Sequence, residues 1–177
     1  MRCLPALLLF ATAWLLSGCY TTEEDIAPET ALVDLGQKAW LLQGVLVTVS
    51  ADEAWLIYQD GASRLALYVL NPQTETIQGP DHFLLYNLPE GPQGAYIAAD
   101  KEDGEFNYYG IDLSMTDGLG RGLFGADAQN HEPQEKSWKE LVALTMDGFI
   151  NGKFDYYPMV PISAGDRLNY LSWKNAD

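Results

Sequence analysis

Cysteine is nearly absent from this chain, and histidine is equally scarce. The 177 residues include two cysteines, Cys3 and Cys19, and two histidines, His82 and His131. So few thiols exclude a disulfide framework and a zinc site built from thiolates. A Ser-His-Asp triad could use only one of the two histidines, and no G-x-S-x-G motif accompanies either. The sequence therefore predicts two surface histidines and a protein that is not an enzyme.

Basic residues are also few. The chain has 10 Lys and Arg against 25 Asp and Glu, and Arg2 is the one charged residue before Cys19. From Cys19 onward, nine basic and 25 acidic side chains give a net charge of −16. Because nucleic-acid binding depends on Lys and Arg at phosphates, this balance excludes a nucleic-acid partner, and it argues against a face on anionic lipid. A cationic partner, bound divalent cations or simple solubility remain as interpretations of the charge.

A long apolar run is missing too, and the one at the N-terminus is short. Residues 4–16 follow Arg2 and span about 13 positions, whereas a transmembrane helix needs about 20. A basic start, a short apolar stretch and small residues before a cysteine are typical of a secretory signal peptide. The segment 1–18 is therefore predicted to be removed, which leaves a chain long enough for one domain.

The end of this segment, Leu16-Ser17-Gly18-Cys19, resembles the lipobox of bacterial lipoproteins. The resemblance implies that Cys19 receives a diacylglyceryl thioether, becomes the mature N-terminus and is acylated, for instance with palmitate. Tyr20 stands where an aspartate would imply retention at the inner membrane, so the resemblance implies a lipid anchor in the outer membrane. Residues 19–30 are polar and acidic, which predicts a disordered tether before a single domain at residues 31–177.

Short apolar runs alternate with turn signals over most of that domain. Asp60-Gly61 and Asp103-Gly104 are dipeptides typical of hairpin turns. The predicted strands are residues 39–50, 53–59, 64–70, 81–88, 95–100, 106–113, 154–162 and 167–173. This pattern predicts a mainly β fold, an antiparallel β-sandwich or a barrel-like sheet of about seven or eight strands with one short late helix. The prolines of 154–162 predict an edge strand.

The late helix is predicted at residues 137–146. Ser137 and Glu140 have the spacing of a capping box, and the apolar residues after them recur at helical intervals. A strand remains the alternative for residues 137–150, because Asn151-Gly152 resembles a hairpin turn.

A long loop is predicted between the two halves of the domain, at residues 115–133. Its segment Gly120 to Gly125 matches G-x-G-x-x-G, but no βαβ pattern surrounds it, so a dinucleotide site is not expected. A connection of this length is either functional or mobile. Its apolar residues could contact a partner or lipid, or fold back on the core: Leu119, Leu123 and Phe124.

Tyrosine doublets are a second candidate for partner binding. Tyr108-Tyr109 and Tyr156-Tyr157 lie in predicted strands, where neighbouring side chains point to opposite faces. One ring of each doublet is therefore expected to face outward, where it suits a sugar or a protein partner. The alternative is that these tyrosines fill a half-buried sheet.

Calcium is the one cofactor that the acidic residues suggest. Carboxylates cluster in a single hairpin loop, at Asp100, Glu102, Asp103 and Glu105. Calcium takes six to eight oxygen ligands, but this loop lacks the EF-hand pattern, and a solvated turn is the competing interpretation.

These features favour an outer-membrane lipoprotein that acts as a binding or scaffold module in the cell envelope. Alternatives are a carbohydrate or peptidoglycan binder and an inhibitor of cationic enzymes. Residues 45–86 order a Val-rich strand, Leu65-Ala66-Leu67-Tyr68 and Phe83-Leu84-Leu85-Tyr86. That order is similar to small lipoproteins of type VI secretion systems, which implies an assembly role as a further alternative.

Overall fold

The fold is one large curled β-sheet with three helices. The computed structural model describes residues 20–36, 38–116, 119–124, 137–152 and 154–176. Its strands are β1 (Tyr20–Thr22), β2 (Val45–Thr48), β3 (Ala54–Gln59), β4 (Arg64–Asn71), β5 (Thr76–Asn87), β6 (Ala95–Glu102), β7 (Glu105–Asp112), β8 (Met115–Thr116), β9 (Leu119–Phe124), β10 (Asp155–Pro161) and β11 (Lys174–Asn175). The helices are α1 (Ala39–Gln43), α2 (Trp138–Ile150) and α3 (Ala164–Leu171), and a short 3-10 turn spans Glu29–Ala31.

The strands follow one another around the sheet as a meander. The order is β1-β7-β6-β5-β4-β3-β2-β10-β9-β8, with β11 added beside β5. All of these ladders are antiparallel except the short one between β11 and β5. The sheet curls so far that β7 and β9 come into contact. The mainly β, antiparallel fold with a late helix is confirmed, in its barrel-like form: a half-barrel.

The inner face of the curled sheet holds the main hydrophobic core. Val45, Ile57, Leu65 and Met159 are at most 1% exposed there, and every second residue of these strands points inward because strand side chains alternate. A cavity of about 10 Å³, roughly the room of one water probe, is lined only by apolar residues: Ile57, Leu65, Leu67, Phe83, Ala98 and Ile111.

The outer face is covered by two separate layers. Helix α2 packs Leu141 and Trp138 against the outer side chains of β5, β6 and β7, among them Tyr108. Helix α3 and the residues after it cover β2, β3, β4 and the start of β5 through Tyr170, Leu171 and Trp173. The central strands β3 and β4 are thus covered on both faces, and they are apolar at most positions, whereas residues 78–82 of β5 are exposed.

Two predicted strands are helical in the structure. Residues 39–43 form α1, which ends at Gly44 with a φ of 124°, and only Val45–Thr48 continue as a strand. Residues 164–171 form α3, because Ser163 and Asp166 close a reciprocal capping box at its start. Apolar residues at both places pack equally well from a helix, so the apolar pattern alone could not separate the two states.

The long loop prediction is also wrong over its described part. Residues 115–116 and 119–124 are the strands β8 and β9, and β9 pairs with β10. Strand β10 therefore lies between β9 and β2 and is not an edge, although it contains Pro158 and Pro161. The helix at residues 137–146 is confirmed and extends to Ile150, and the side chain of Ser137 accepts a hydrogen bond from Glu140 N–H at 3.3 Å.

Two helical glycines provide a matched test of how α2 is seated. A Cβ added at Gly148 would collide with the Phe154 ring, whereas a Cβ at Gly165 in α3 would meet nothing closer than 3.5 Å. We expect Gly148→Ala to lower the free energy of unfolding by about 1–3 kcal/mol through overpacking. Gly165→Ala should raise it, by up to about 1 kcal/mol, through helix propensity. Urea unfolding measures both, and a neutral Gly148→Ala would contradict the described packing of α2.

Candidate interaction surface and attachment segment

The segment that follows Cys19 is folded onto the sheet. Strand β1 pairs with the free edge of β7, with Tyr20 opposite Tyr108 and Thr22 opposite Phe106. Ile26 and two alanines after it pack against the same outer core that α2 covers. This corrects the prediction of a disordered tether at residues 19–30, for all of its residues but Cys19, which lies outside the described residues. We call residues 20–36 the attachment segment.

A carboxylate fastens the attachment segment to two buried tyrosines. Asp25 accepts hydrogen bonds from the Tyr108 hydroxyl at 2.7 Å and from the Tyr86 hydroxyl at 3.4 Å. The backbone N–H of Ile26 donates to the Tyr108 oxygen at 3.0 Å. Burial, and then the hydrogen bond to Asp25, raise the pKa of Tyr108 to about 12, so the hydroxyl remains a donor through the physiological range. The acidic composition that suggested disorder thus contains the residue that orders the segment.

Neither tyrosine of the first doublet is available to a ligand. Tyr108 is 0% exposed and Tyr109 is 9% exposed. The two rings do point to opposite faces: Tyr109 packs with Phe83 in the inner core at 5.8 Å between ring centroids, and Tyr108 lies under α2 and the attachment segment. The expectation of an outward ring is wrong here because both faces of the sheet are covered.

The second doublet lies where the outer cover ends. Tyr156 is 42% exposed, on the outer face of β10. Tyr157 is half-buried on the inner side, 5.4 Å from the Trp55 ring in an edge-on contact. Burial raises the pKa of Tyr157, and Asp155 and Glu53 add to the shift. Only Tyr156 therefore fulfils the expectation of an outward-facing ring.

Three exposed residues form an apolar row on the outer face of β10. Tyr156, Pro158 and Val160 alternate along the strand and are all exposed, while the inward-pointing Met159 is fully buried. At about 3.4 Å per residue, the row is about 14 Å long. We call it the β10 strip. Neither of the apolar clusters that cover the outer face includes its residues.

The structure brings the two predicted partner-binding groups side by side. Leu123 is the register partner of Tyr156, and Phe124 is the register partner of Asp155. Leu119 stands at the other end of β9, opposite Thr116 of β8. Sequence reasoning placed these residues in separate regions, 30 or so positions apart, and only the β9–β10 ladder unites them.

The acidic hairpin lies at the end of β6 and β7. Asp103 and Gly104 form its two-residue turn with φ values of 51° and 94°, which confirms the predicted hairpin. Asp100 has a buried Oδ1 with no hydrogen-bond partner among the described residues. Burial raises its pKa, with Glu102 and Asp81 adding to the shift. Glu102, Asp103 and Glu105 are exposed. Within the ranges that the structure describes, no three His, Cys, Asp or Glu side chains are grouped as metal ligands.

The first histidine is a surface residue. His82 Nδ1 lies 3.3 Å from Asp60 Oδ2, and the same carboxylate oxygen contacts Arg64 at 3.0 Å. All three side chains are at least one-third exposed. His131 lies outside the described residues.

A double-mutant cycle tests how the attachment segment is held. Asp25→Ala removes the acceptor for two tyrosine hydroxyls, so we expect it to lower the free energy of unfolding by about 1.5–3 kcal/mol. Tyr108→Phe should cost less, and the double variant should cost less than the sum of the two. Urea unfolding measures the three values. Strict additivity would mean that the two residues do not interact.

The half-buried carboxylate of Asp100 gives a pH-dependent prediction. Because the pKa of Asp100 in the folded protein is raised above its ordinary 3.8, the folded state loses stability as pH rises from that value through the folded pKa. Asp100→Asn should therefore raise the melting temperature at pH 7, by a few degrees, and the gain should vanish near pH 3. Glu105→Gln, at an exposed position of the same hairpin, is the control. An equal gain at both pH values would contradict this account.

Comparison with known proteins adds no relative. The chain has no significant match among protein-family models, curated proteins or solved structures. Among the described residues, none of the helices has both the length and the apolar composition needed to cross a bilayer.

Proposed function

We propose that this chain is a lipoprotein of the bacterial outer membrane whose domain is a non-catalytic binding or scaffold module. The lipobox-like sequence Leu16-Ser17-Gly18-Cys19 supports the anchor. Two or more acyl chains on Cys19 would hold the protein stably, whereas a single chain binds a bilayer only marginally.

A binding role is favoured over catalysis because the cavity inside the domain is very small, whereas the outer face exposes an apolar row on β10. The inside of the half-barrel is filled by apolar side chains, and its cavity of about 10 Å³ has no polar lining residue. Small-molecule sites are commonly 300 Å³ or larger, with a few convergent polar groups. A protein partner, in contrast, needs an exposed patch with an aromatic or aliphatic anchor near its centre.

The β10 strip is the observation that carries the proposal. It exposes Tyr156, Pro158 and Val160 in one row on the outer face, other parts of which are covered by α2, α3 and the attachment segment. Tyrosine is enriched at interfaces because its ring buries a large area at little cost in side-chain entropy. Asp155 at the start of the strip is exposed, and the net charge of −16 from Cys19 onward favours a partner with a basic rim.

Partner capture with matched variants tests this function. The lipidated protein is crosslinked in its native envelope, purified and analysed by mass spectrometry. We expect a defined envelope protein that is lost in Tyr156→Ser and in Val160→Ser, with recovery reduced at least tenfold. Leu84→Ser is the control, because Leu84 is as exposed, at 39%, but lies on β5. Cys19→Ser should release the protein from the membrane fraction.

Other outcomes would select other functions. Loss of the partner in Leu84→Ser but not in Tyr156→Ser would move the interface away from the β10 strip. Recovery of peptidoglycan or another glycan without a protein would contradict the scaffold role and favour a carbohydrate binder. A stable membrane association of Cys19→Ser would contradict the lipid anchor.

A further inference from the structure

The attachment segment leaves almost no chain between the proposed lipid and the folded domain. Cys19 directly precedes Tyr20, and consecutive Cα atoms lie about 3.8 Å apart. Tyr20 is already paired with Tyr108 on β7. Detachment of the segment from β7 would also break the hydrogen bonds that Asp25, five residues after Tyr20, accepts from Tyr108 and Tyr86. If Cys19 carries acyl chains, they leave the protein at the β7 edge of the sheet.

Helix α2 ends close to this edge. Gly110 lies two residues beyond Tyr108 on β7, and its Cα faces the Phe154 ring and the methyl group of Thr145. Gly148, in the last turns of α2, faces the same Phe154 ring. Phe149 stacks edge-on against Phe154 with 4.8 Å between ring centroids. Phe154 therefore joins the C-terminal end of α2 to the part of β7 from which the lipid would depart.

The last residue of α2 is the most exposed large apolar residue of the described chain. Ile150 is 74% exposed, and it follows Phe149 directly. An isoleucine side chain left in water forgoes the favourable free energy of burying its apolar surface. Because Gly148 of α2 and Gly110 of β7 meet the same Phe154 ring, a bilayer that holds the acyl chains would offer the nearby Ile150 side chain an apolar medium.

We propose that the bilayer into which the acyl chains of Cys19 insert also contacts the C-terminal end of α2. The Ile150 side chain enters this bilayer beside the acyl chains. The inference rests on the proposed lipid anchor at Cys19. The domain then lies directly on the membrane, with the β7 edge and the C-terminal end of α2 facing the bilayer. Because the domain is strongly acidic, the fitting surface is a zwitterionic one. An anionic bilayer would repel it.

Depth-dependent fluorescence quenching tests the contact. The lipidated protein carries Ile150→Cys or Leu168→Cys, is labelled with a thiol-reactive environment-sensitive fluorophore, and is reconstituted in phosphatidylcholine vesicles. Leu168 is the matched control, because it is 63% exposed in α3, which covers a different part of the sheet. Only the introduced thiol can react, since the sulfur of a lipidated Cys19 is a thioether and Cys3 leaves with the signal peptide. Bromolipid should quench position 150 at least threefold more than position 168.

A longer linker between Cys19 and Tyr20 tests why position 150 contacts the bilayer. It distinguishes the effect of the short connection from a general affinity of the surface for lipid. Twelve Gly and Ser residues inserted between Cys19 and Tyr20 should reduce the quenching at position 150 to the level of position 168. Equal quenching at both positions, or none at position 150, would overturn the inference while the anchor stands. The mass of the N-terminal peptide is measured in the same samples. An unmodified Cys19 would refute the anchor itself and, with it, the inference.

Discussion

A single sheet that is apolar on both faces is the constraint on which the rest of this structure depends. Curling removes the inner apolar face from water, because Val45, Ile57, Leu65 and Met159 then meet across the interior. The other face remains apolar and needs a cover from elsewhere in the chain. Helix α2, helix α3 and the attachment segment supply that cover in separate pieces. With no disulfide available after Cys19, the stability of the domain comes from this packing.

The sequence was sufficient for the fold class and for several local elements. The meander from β3 to β7, the Asp103-Gly104 hairpin and the start of α2 at Ser137 all follow from short-range signals. Those signals act over a few residues and do not depend on what packs above them. The helices α1 and α3 were missed because a short apolar segment fits either a strand or a helix until its tertiary neighbours are known. Ser163 and Asp166 were the available signal for α3.

The candidate surface was only partly predictable from the sequence, because it depends on tertiary contacts. The alternation of side chains within each doublet was right, but exposure depends on whether another element covers that face. Tyr108 is fully buried and Tyr156 is 42% exposed, although the two doublets look alike in sequence. The pairing of Leu123 with Tyr156 is likewise a long-range ladder contact, and a single sequence without relatives contains no signal for it. Asp25 was missed because one acceptor for two distant tyrosines has no local pattern.

Strand β1 protects one edge of the sheet. Its three residues cover Phe106, Asn107 and Tyr108 on an edge of the sheet that would otherwise present unpaired backbone groups. A shortened chain that starts at Ala31, the boundary that composition suggests, would lose this strand and the Asp25 contacts together. It would bare a hydrogen-bonding edge beside newly exposed tyrosines, which is the usual starting point for strand-to-strand aggregation. The strand that protects this edge is part of the attachment segment, so neither can be removed without the other.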